Sequence, residues 1–409
     1  MLPRVLAVLS FVLFVTSNAV SAEPTWPRWR GPEGTGHSTE KDIPAKWDTK
    51  SILWKTPLKG SGQSTPTIRG DKMFLTTALE NGKSRVVFCV DRKKGDIVWE
   101  KVAWTGEPEV SHVQNGWASA SCVTDGEIVV AFFGKGGLHG YTVDGKHLWS
   151  RDLGKFPGPF GTAASPVLHD DLVIQNCEHE GDSFIRAFYK KDGKDVWQTP
   201  RLKTEKGGWS TPIFVKSGAR TELVLNGEKA ICAYDPLKGN QLWSCKAFAG
   251  RGDPTATFHN GLIIVVNGLA GDIYAVKPGG NGDVTKTHMA WHTPRKGGRD
   301  QPSPILVGNF LLVANMGGML TCYDATKGSV LWEERMKGGF SSSPIAANGL
   351  AYFQNDAGDT TVIEPGDKPN FVHVNTLGAS GEVFRASLTP LDGHVYTRSD
   401  KVLYCIGKK

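Results

Sequence analysis

The chain has 409 residues, a formal net charge of +6, 39% hydrophobic and 22% charged residues. That balance excludes a disordered or strongly solvating chain. Without a clustered basic stripe the charge is also too dilute for a nucleic-acid-binding surface. Glycine at 49 and tryptophan at 13 point to many tight turns and repeated aromatic anchors.

In chain order, Met1–Arg4 is a short basic start, an apolar run covers Val5–Val15, and small residues follow at Val20-Ser21-Ala22. This pattern predicts a secretory signal peptide over residues 1–22, cleaved after Ala22. The apolar run is too short for a membrane helix, and no later segment is apolar enough to span. No cysteine stands at the cleavage point. The expected product is a soluble, exported protein, periplasmic or extracellular, and not a lipoprotein. Residues 23–50 read as an N-terminal arm.

From Ser51 to 409 the chain repeats. Tryptophans stand at 54, 99, 149, 197, 243, 291 and 332, a glycine precedes five of them by four residues, and an aspartate stands at 91, 235 and 324. DRKKGDIVW, DPLKGNQLW and DATKGSVLW are thus one motif. A second marker, Ser/Thr-Pro, recurs at 65, 165, 211, 303, 343 and 389, with Ser119-Ala120-Ser121 and Thr255-Ala256 filling two further slots. Apolar stretches broken by Gly/Asn/Asp turns lie between the markers, which predicts four short strands per unit. Units of this size are propeller blades. The markers count eight blades, with the seventh degenerate (Phe371-Val372-His373-Val374 in place of the Trp strand) and the eighth stopping after its third strand at 402–407. SILWKTPL, residues 51–58, ends a repeat that nothing precedes, and is predicted to be the missing fourth strand, with Trp54 as that blade's docking tryptophan. The predicted fold is therefore an all-β, eight-bladed β-propeller of four-stranded blades over residues 51–409, closed by the N-terminal strand. Cys89, Cys322 and Cys405 share one slot with Ala233 and Gly140, a tight position where cysteine acts as a small hydrophobe. The pairing state of Cys122, Cys177, Cys232 and Cys245 is open.

The Asp-x3-Gly-x3-Trp unit resembles the tryptophan-docking repeat of pyrroloquinoline-quinone-type (PQQ-like) β-propellers, over nearly the whole predicted mature chain. The resemblance implies that Trp54, Trp99, Trp149, Trp197, Trp243, Trp291 and Trp332 dock onto neighbouring blades. The family includes quinone-dependent alcohol dehydrogenases and the non-enzymatic assembly scaffold BamB. WPRWRGPEGTG (26–36), His112–Ser119 and Asp125–Gly134 are also similar to segments of secreted planctomycete-type PQQ-like repeat proteins.

Propeller ligands sit over the central channel, on the loops entering the innermost strands. The variable polar and aromatic members of those loops are Gln63, Trp117, Trp209, Asp253, Arg299, Gln301 and Arg385, a set suited to an anionic, planar or peptide ligand. His112 and Asn115 are expected to fix a long loop, with lining the mouth as the alternative. The loop acids Glu109, Asp253, Asp300 and Glu382 are scattered over different blades, and no adjacent Cys-Cys pair exists. No catalytic residue, metal ligand or cofactor is therefore expected; PQQ with calcium belongs only to an alternative reading, a quinoprotein alcohol or sugar dehydrogenase. The expected role is a monomeric binding or assembly scaffold of the periplasm or cell envelope, its partners envelope proteins or a small or polymeric ligand at the mouth. A carbohydrate- or peptide-binding module is the second alternative.

Overall fold

The computed structural model describes residues 23–201, 207–246, 250–269, 271–295, 299 and 301–408. The predicted signal peptide and Asp300 lie outside the described residues. Eight sheets, each built on a four-stranded antiparallel meander, form the eight blades of a propeller. Blade 1 runs Thr67–Arg69, Lys72–Leu79, Ser84–Asp91 and Ile97–Thr105. Blade 7, despite its lost motif, keeps four strands, ending with Phe371–Asn375. Blade 8 takes Thr389–Leu391, His394–Arg398 and Val402–Ile406 from the end of the chain and Ile52–Pro57 from its front. Ile52 lies opposite Ile406 and Pro57 opposite Val402. The predicted closure is the one observed. The apolar core is divided into clusters between successive blades, as where Phe74, Val87 and Cys89 of blade 1 meet Val129, Ala131 and Tyr141 of blade 2.

The motif acts between blades. The Trp54 indole N–H donates to the Arg92 carbonyl of blade 1 at 3.2 Å, and its ring covers Gly95. Gly95 has φ +81°, and a Cβ there would lie 2.7 Å from the ring, so only glycine fits. Gly145 under Trp99, Gly193 under Trp149, Gly239 under Trp197 and Gly328 under Trp291 repeat the arrangement. The glycine four residues before a tryptophan therefore serves the tryptophan of the preceding blade. Across the strand pair, each tryptophan faces a small residue: Cys89, Gly140, Ala187, Ala233, Ala275, Cys322 or Cys405. A register shift beside this position recurs in all eight outer strand pairs, and such bulges bend and twist a strand. This accounts for the shared cysteine slot, and all seven cysteines are buried and free.

Trp243 departs from the pattern. Its indole N–H donates to Glu222 Oε2 of its own blade at 2.9 Å. In blade 5 the usual turn is replaced by a longer segment, where Gly282–Asp283 pairs with the outer strand of blade 4 and a short helix covers Thr285–His288. The tryptophan missing from blade 7 also has a reason. Its docking target would be the turn joining the last two strands of blade 8, and that turn does not exist, because those strands come from opposite ends of the chain.

A second ring encircles the channel. The backbone N–H of Thr65 donates to Ser121 Oγ, Ser121 to Ser165, Ser165 to Thr211, and so on through Thr255, Ser303, Ser343 and Ser387 back to Thr65, all at 2.9–3.1 Å. Each ring residue stands two positions before its innermost strand. In blade 8 this is Ser387, so the expected marker Thr389-Pro390 falls two residues late, inside the strand.

The arm is part of the body. Thr25–Trp26 adds a strand to the inner edge of blade 1, at the end of the channel opposite the ring. The chain then crosses the channel. Pro27 accepts from the Thr124 N–H of blade 2 at 2.9 Å, Arg30 Nη2 donates to the Pro304 carbonyl of blade 6 at 2.8 Å, and Gly36 and Ser38 bracket Ala346 of blade 7. It leaves past Trp47, which stacks on Tyr352 and whose backbone N–H donates to Asn375 Oδ1 at 2.6 Å. Trp26, Ile43 and Trp47 are buried.

Candidate functional site

The arm runs through the lower half of the channel, and a cup lies at the mouth. Thr65, Ser165, Thr211, Ser343 and Ser387 of the hydroxyl ring line it together with Trp29 of the arm. Each of these hydroxyl oxygens accepts a backbone N–H of the neighbouring blade. The cavity is ≈ 220 Å³.

The walls differ in chemistry. One side, from the loops entering blades 2 to 4, is aromatic and amide: His112, Asn115, Phe160 and Trp209. Phe160 and Trp209 meet edge to face at 5.9 Å, and the Asn115 amide donates to the Phe160 carbonyl at 2.7 Å. Arg251, from the loop before blade 5, lies over both rings, 4.5 Å from the Phe160 centroid and 5.5 Å from Trp209. The other side carries Arg299, Gln301 and Arg385, and Arg385 Nη1 donates to the Val113 carbonyl at 2.9 Å. Arg251 and Arg385 each keep a buried Nε–H with no acceptor. Among the described residues, three arginines and one carboxylate, Asp253, line the cup.

Six of the residues singled out from the sequence, Gln63, Trp209, Asp253, Arg299, Gln301 and Arg385, come together here. Trp117 does not. Its indole N–H donates to the Glu109 carbonyl at 2.8 Å, and its ring covers Gly82. It belongs to a staple around Arg85, which is fully buried, sits over Trp104 and Trp117, and pairs with Glu109 at 2.8 Å. The staple holds the 106–117 loop, so Trp117 and Glu109 position the mouth from behind. His112 and Asn115, expected to be loop struts, also line the cup. Phe160, Arg251 and Trp29 were not singled out. The signal for Arg251 lay two residues before Asp253, in an Arg-Gly-Asp triplet whose arginine stacks over Phe160 and Trp209. Trp29 sits in the arm, which no repeat pattern links to the channel.

Among the described residues, the donor set offers few of the carboxylates that a calcium–quinone centre takes. Calcium takes six to eight oxygens, rich in carboxylates. Of the loop acids, Glu109 is engaged with Arg85, Glu382 accepts from the Tyr404 hydroxyl at 2.7 Å, and only Asp253 lines the cup among the described residues. No group of three His, Cys, Asp or Glu side chains with metal-holding geometry occurs among the described residues.

The sequence matches the family described as outer membrane protein assembly factor BamB over residues 38–177, 181–272 and 269–368, more than half of the chain. No curated protein matches it. Among solved structures, it is similar to a europium-containing methanol dehydrogenase (12% identity, 94% of this chain and 98% of that one, TM-score 0.73). It is also similar to BamB from Moraxella catarrhalis (16% identity, 88% and 97%, TM-score 0.63) and to the computationally designed Ika8 protein (12%, 85% and 98%, TM-score 0.58). At such identities these likenesses show the fold, which a dehydrogenase, an envelope protein and a design share. On the span of the family match, and on the docking repeat that carries it, the chain belongs to the BamB-like family of PQQ-type β-propellers.

Proposed function

We propose that this protein is an exported, non-catalytic binding scaffold of the periplasm or cell envelope, working as a monomer through the cup at its channel mouth. The observation that carries this reading is the composition of the cup: a closed floor of hydroxyls, an aromatic wall and three arginines against one described carboxylate. Tryptophan and arginine in a concave, partly desolvated site are the residues that dominate protein recognition. The scattered acids support a role without quinone or calcium. The family's BamB branch supports an envelope setting, and the N-terminal basic–apolar–small pattern supports export. No helix among the described residues is long and apolar enough to cross a membrane.

The test is a photo-crosslinker placed at Gln301 on the mouth and, separately, at Lys93 on the opposite face, in the protein exported by its own host. Partner crosslinks concentrated at Gln301 are expected. Crosslinks at Lys93 alone would overturn the assignment to the mouth. Dye-linked alcohol oxidation after loading with PQQ and Ca²⁺ would overturn the non-catalytic reading.

A further inference from the structure

We infer that the cup captures the C-terminal carboxylate of an extended peptide whose last side chain is apolar or aromatic. This inference rests on the mouth being the binding site, as proposed above. Size comes first. Pockets that enclose a whole small molecule hold roughly 300 to 1,000 Å³. At ≈ 220 Å³ the cup is smaller, so it takes the end of something longer and leaves the rest outside.

Charge comes second. The end group faces Arg251, Arg299 and Arg385, with the floor hydroxyls as further donors and Asp253 as the single described acid. Arginine binds carboxylates through paired, charge-assisted N–H bonds, and short O–H donors complete such a nest. Phe160 and Trp209, with Arg251 stacked over them and Arg299 and Arg385 across the cup, give the terminal side chain an apolar wall beside that charge.

The lip comes third, and it separates a peptide from an acidic sugar. Val110 and Val113, on the loop that supplies His112 and Asn115, are 71% and 80% exposed. Arg85 and Glu109 hold that loop from below, and Arg385 grips the Val113 carbonyl, so the loop exposes both valines beside the cup-lining His112, Gln114 and Asn115. A glycan entering the cup gains little from valines at its edge. A peptide lays the side chains preceding its terminus against them.

The test uses fluorescently labelled pentapeptides of sequence Ala-Ala-Ala-Val-Phe, one with a free C-terminal acid and one amidated, and a glucuronate-terminated oligosaccharide. Each is titrated by anisotropy against the full mature chain and against Arg299→Ala/Arg385→Ala, whose melting temperature is checked first. The acid peptide is expected to bind at least roughly tenfold more tightly than the amide, and the double variant to lose about that factor for the acid only. Equal binding of acid and amide would overturn the carboxylate inference and leave the mouth as the site. Tighter binding of the oligosaccharide would replace the peptide with an acidic glycan. Binding of none of the three would overturn this inference, and the crosslink at Gln301 then decides separately whether the mouth binds at all.

Discussion

The two halves of the channel treat the same side chains in opposite ways. In the lower half, Arg28 and Arg30 are buried, and Arg30 Nη2 is held by the Thr35 carbonyl at 2.6 Å and the Pro304 carbonyl at 2.8 Å. Burial pulls the Arg30 guanidinium down to about 9 and Arg28 to about 10, the latter against the pull of Glu33. In the upper half, Arg251, Arg299 and Arg385 line a cavity, and Arg251 and Arg385 each keep an Nε–H without an acceptor. A buried cation gripped by carbonyls is cement even where, as at Arg30, Nε and Nη1 have no acceptor, and losing its partners is costly. A half-solvated cation facing a cavity contributes little to stability and is available to an anion. The lower channel is therefore read as structure and the upper as function.

Removing residues 23–50 tests the lower half most severely. Three large apolar side chains, Trp26, Ile43 and Trp47, leave their sites. At roughly 3–5 kcal/mol for each buried tryptophan, the loss is on the order of 10 kcal/mol, and the truncated chain should melt far below the wild type or fail to fold. An unchanged melting temperature would reduce the arm to decoration. A finer comparison sets Trp26→Ala beside Trp29→Ala, two tryptophans three residues apart. The first should cost roughly 3–5 kcal/mol in chemical denaturation and the second much less, since Trp29 is half-buried at the cup floor.

Acid should act on the buried rings. His37, in the lower channel, is lowered first by burial, with Arg30 and His259 pushing the same way against the Leu306 carbonyl. His139 is lowered by burial to about 4. These rings are neutral in the folded state, so the unfolded chain binds the extra protons. The stability they contribute is complete above about pH 6.5 and is lost as pH falls through the folded values, roughly 3 kcal/mol for His139 by pH 4. Melting temperatures between pH 7 and 4 should show the slope, and His139→Gln should flatten part of it. The smallest effect belongs to the cup: Arg299→Ala and Arg385→Ala should each leave unfolding free energy within about 0.5 kcal/mol of wild type. A larger loss there would erase the distinction between the halves.

Much of the fold could be read in the chain because a propeller writes its geometry once per blade. The eight first-strand markers revealed the blade count, the stray repeat end at residues 51–58 revealed the closure, and the spacing of Gly95, Gly145, Gly193, Gly239 and Gly328 before their tryptophans marked the repeat. It did not reveal that each glycine belongs to the preceding blade's tryptophan, because a linear spacing does not name a spatial partner. The hydroxyl ring was half legible: proline marked five of its members, but Ser121, Thr255 and Ser387 carry no proline, and the hydroxyl itself was the constant. The site was less legible still. Trp117 and Trp209 look alike as loop aromatics, and only the buried Arg85 behind one of them separates strut from wall. The arm has no repeat at all, so its place in the channel follows from three-dimensional packing alone.

The clasp of blade 8 has a mechanical consequence. Its antiparallel pairing sets Ile52 opposite Ile406, so both chain ends leave from the same end of the strand pair. Tension on the ends would peel that pair open like a zipper, one hydrogen bond at a time, instead of shearing all of them together. The arm, threaded through the channel ahead of Ile52, meets that load first. Pulled by its ends, the whole chain should hold to a higher force than one beginning at Ser51. The propeller's weakest seam is guarded by residues that lie outside every blade motif.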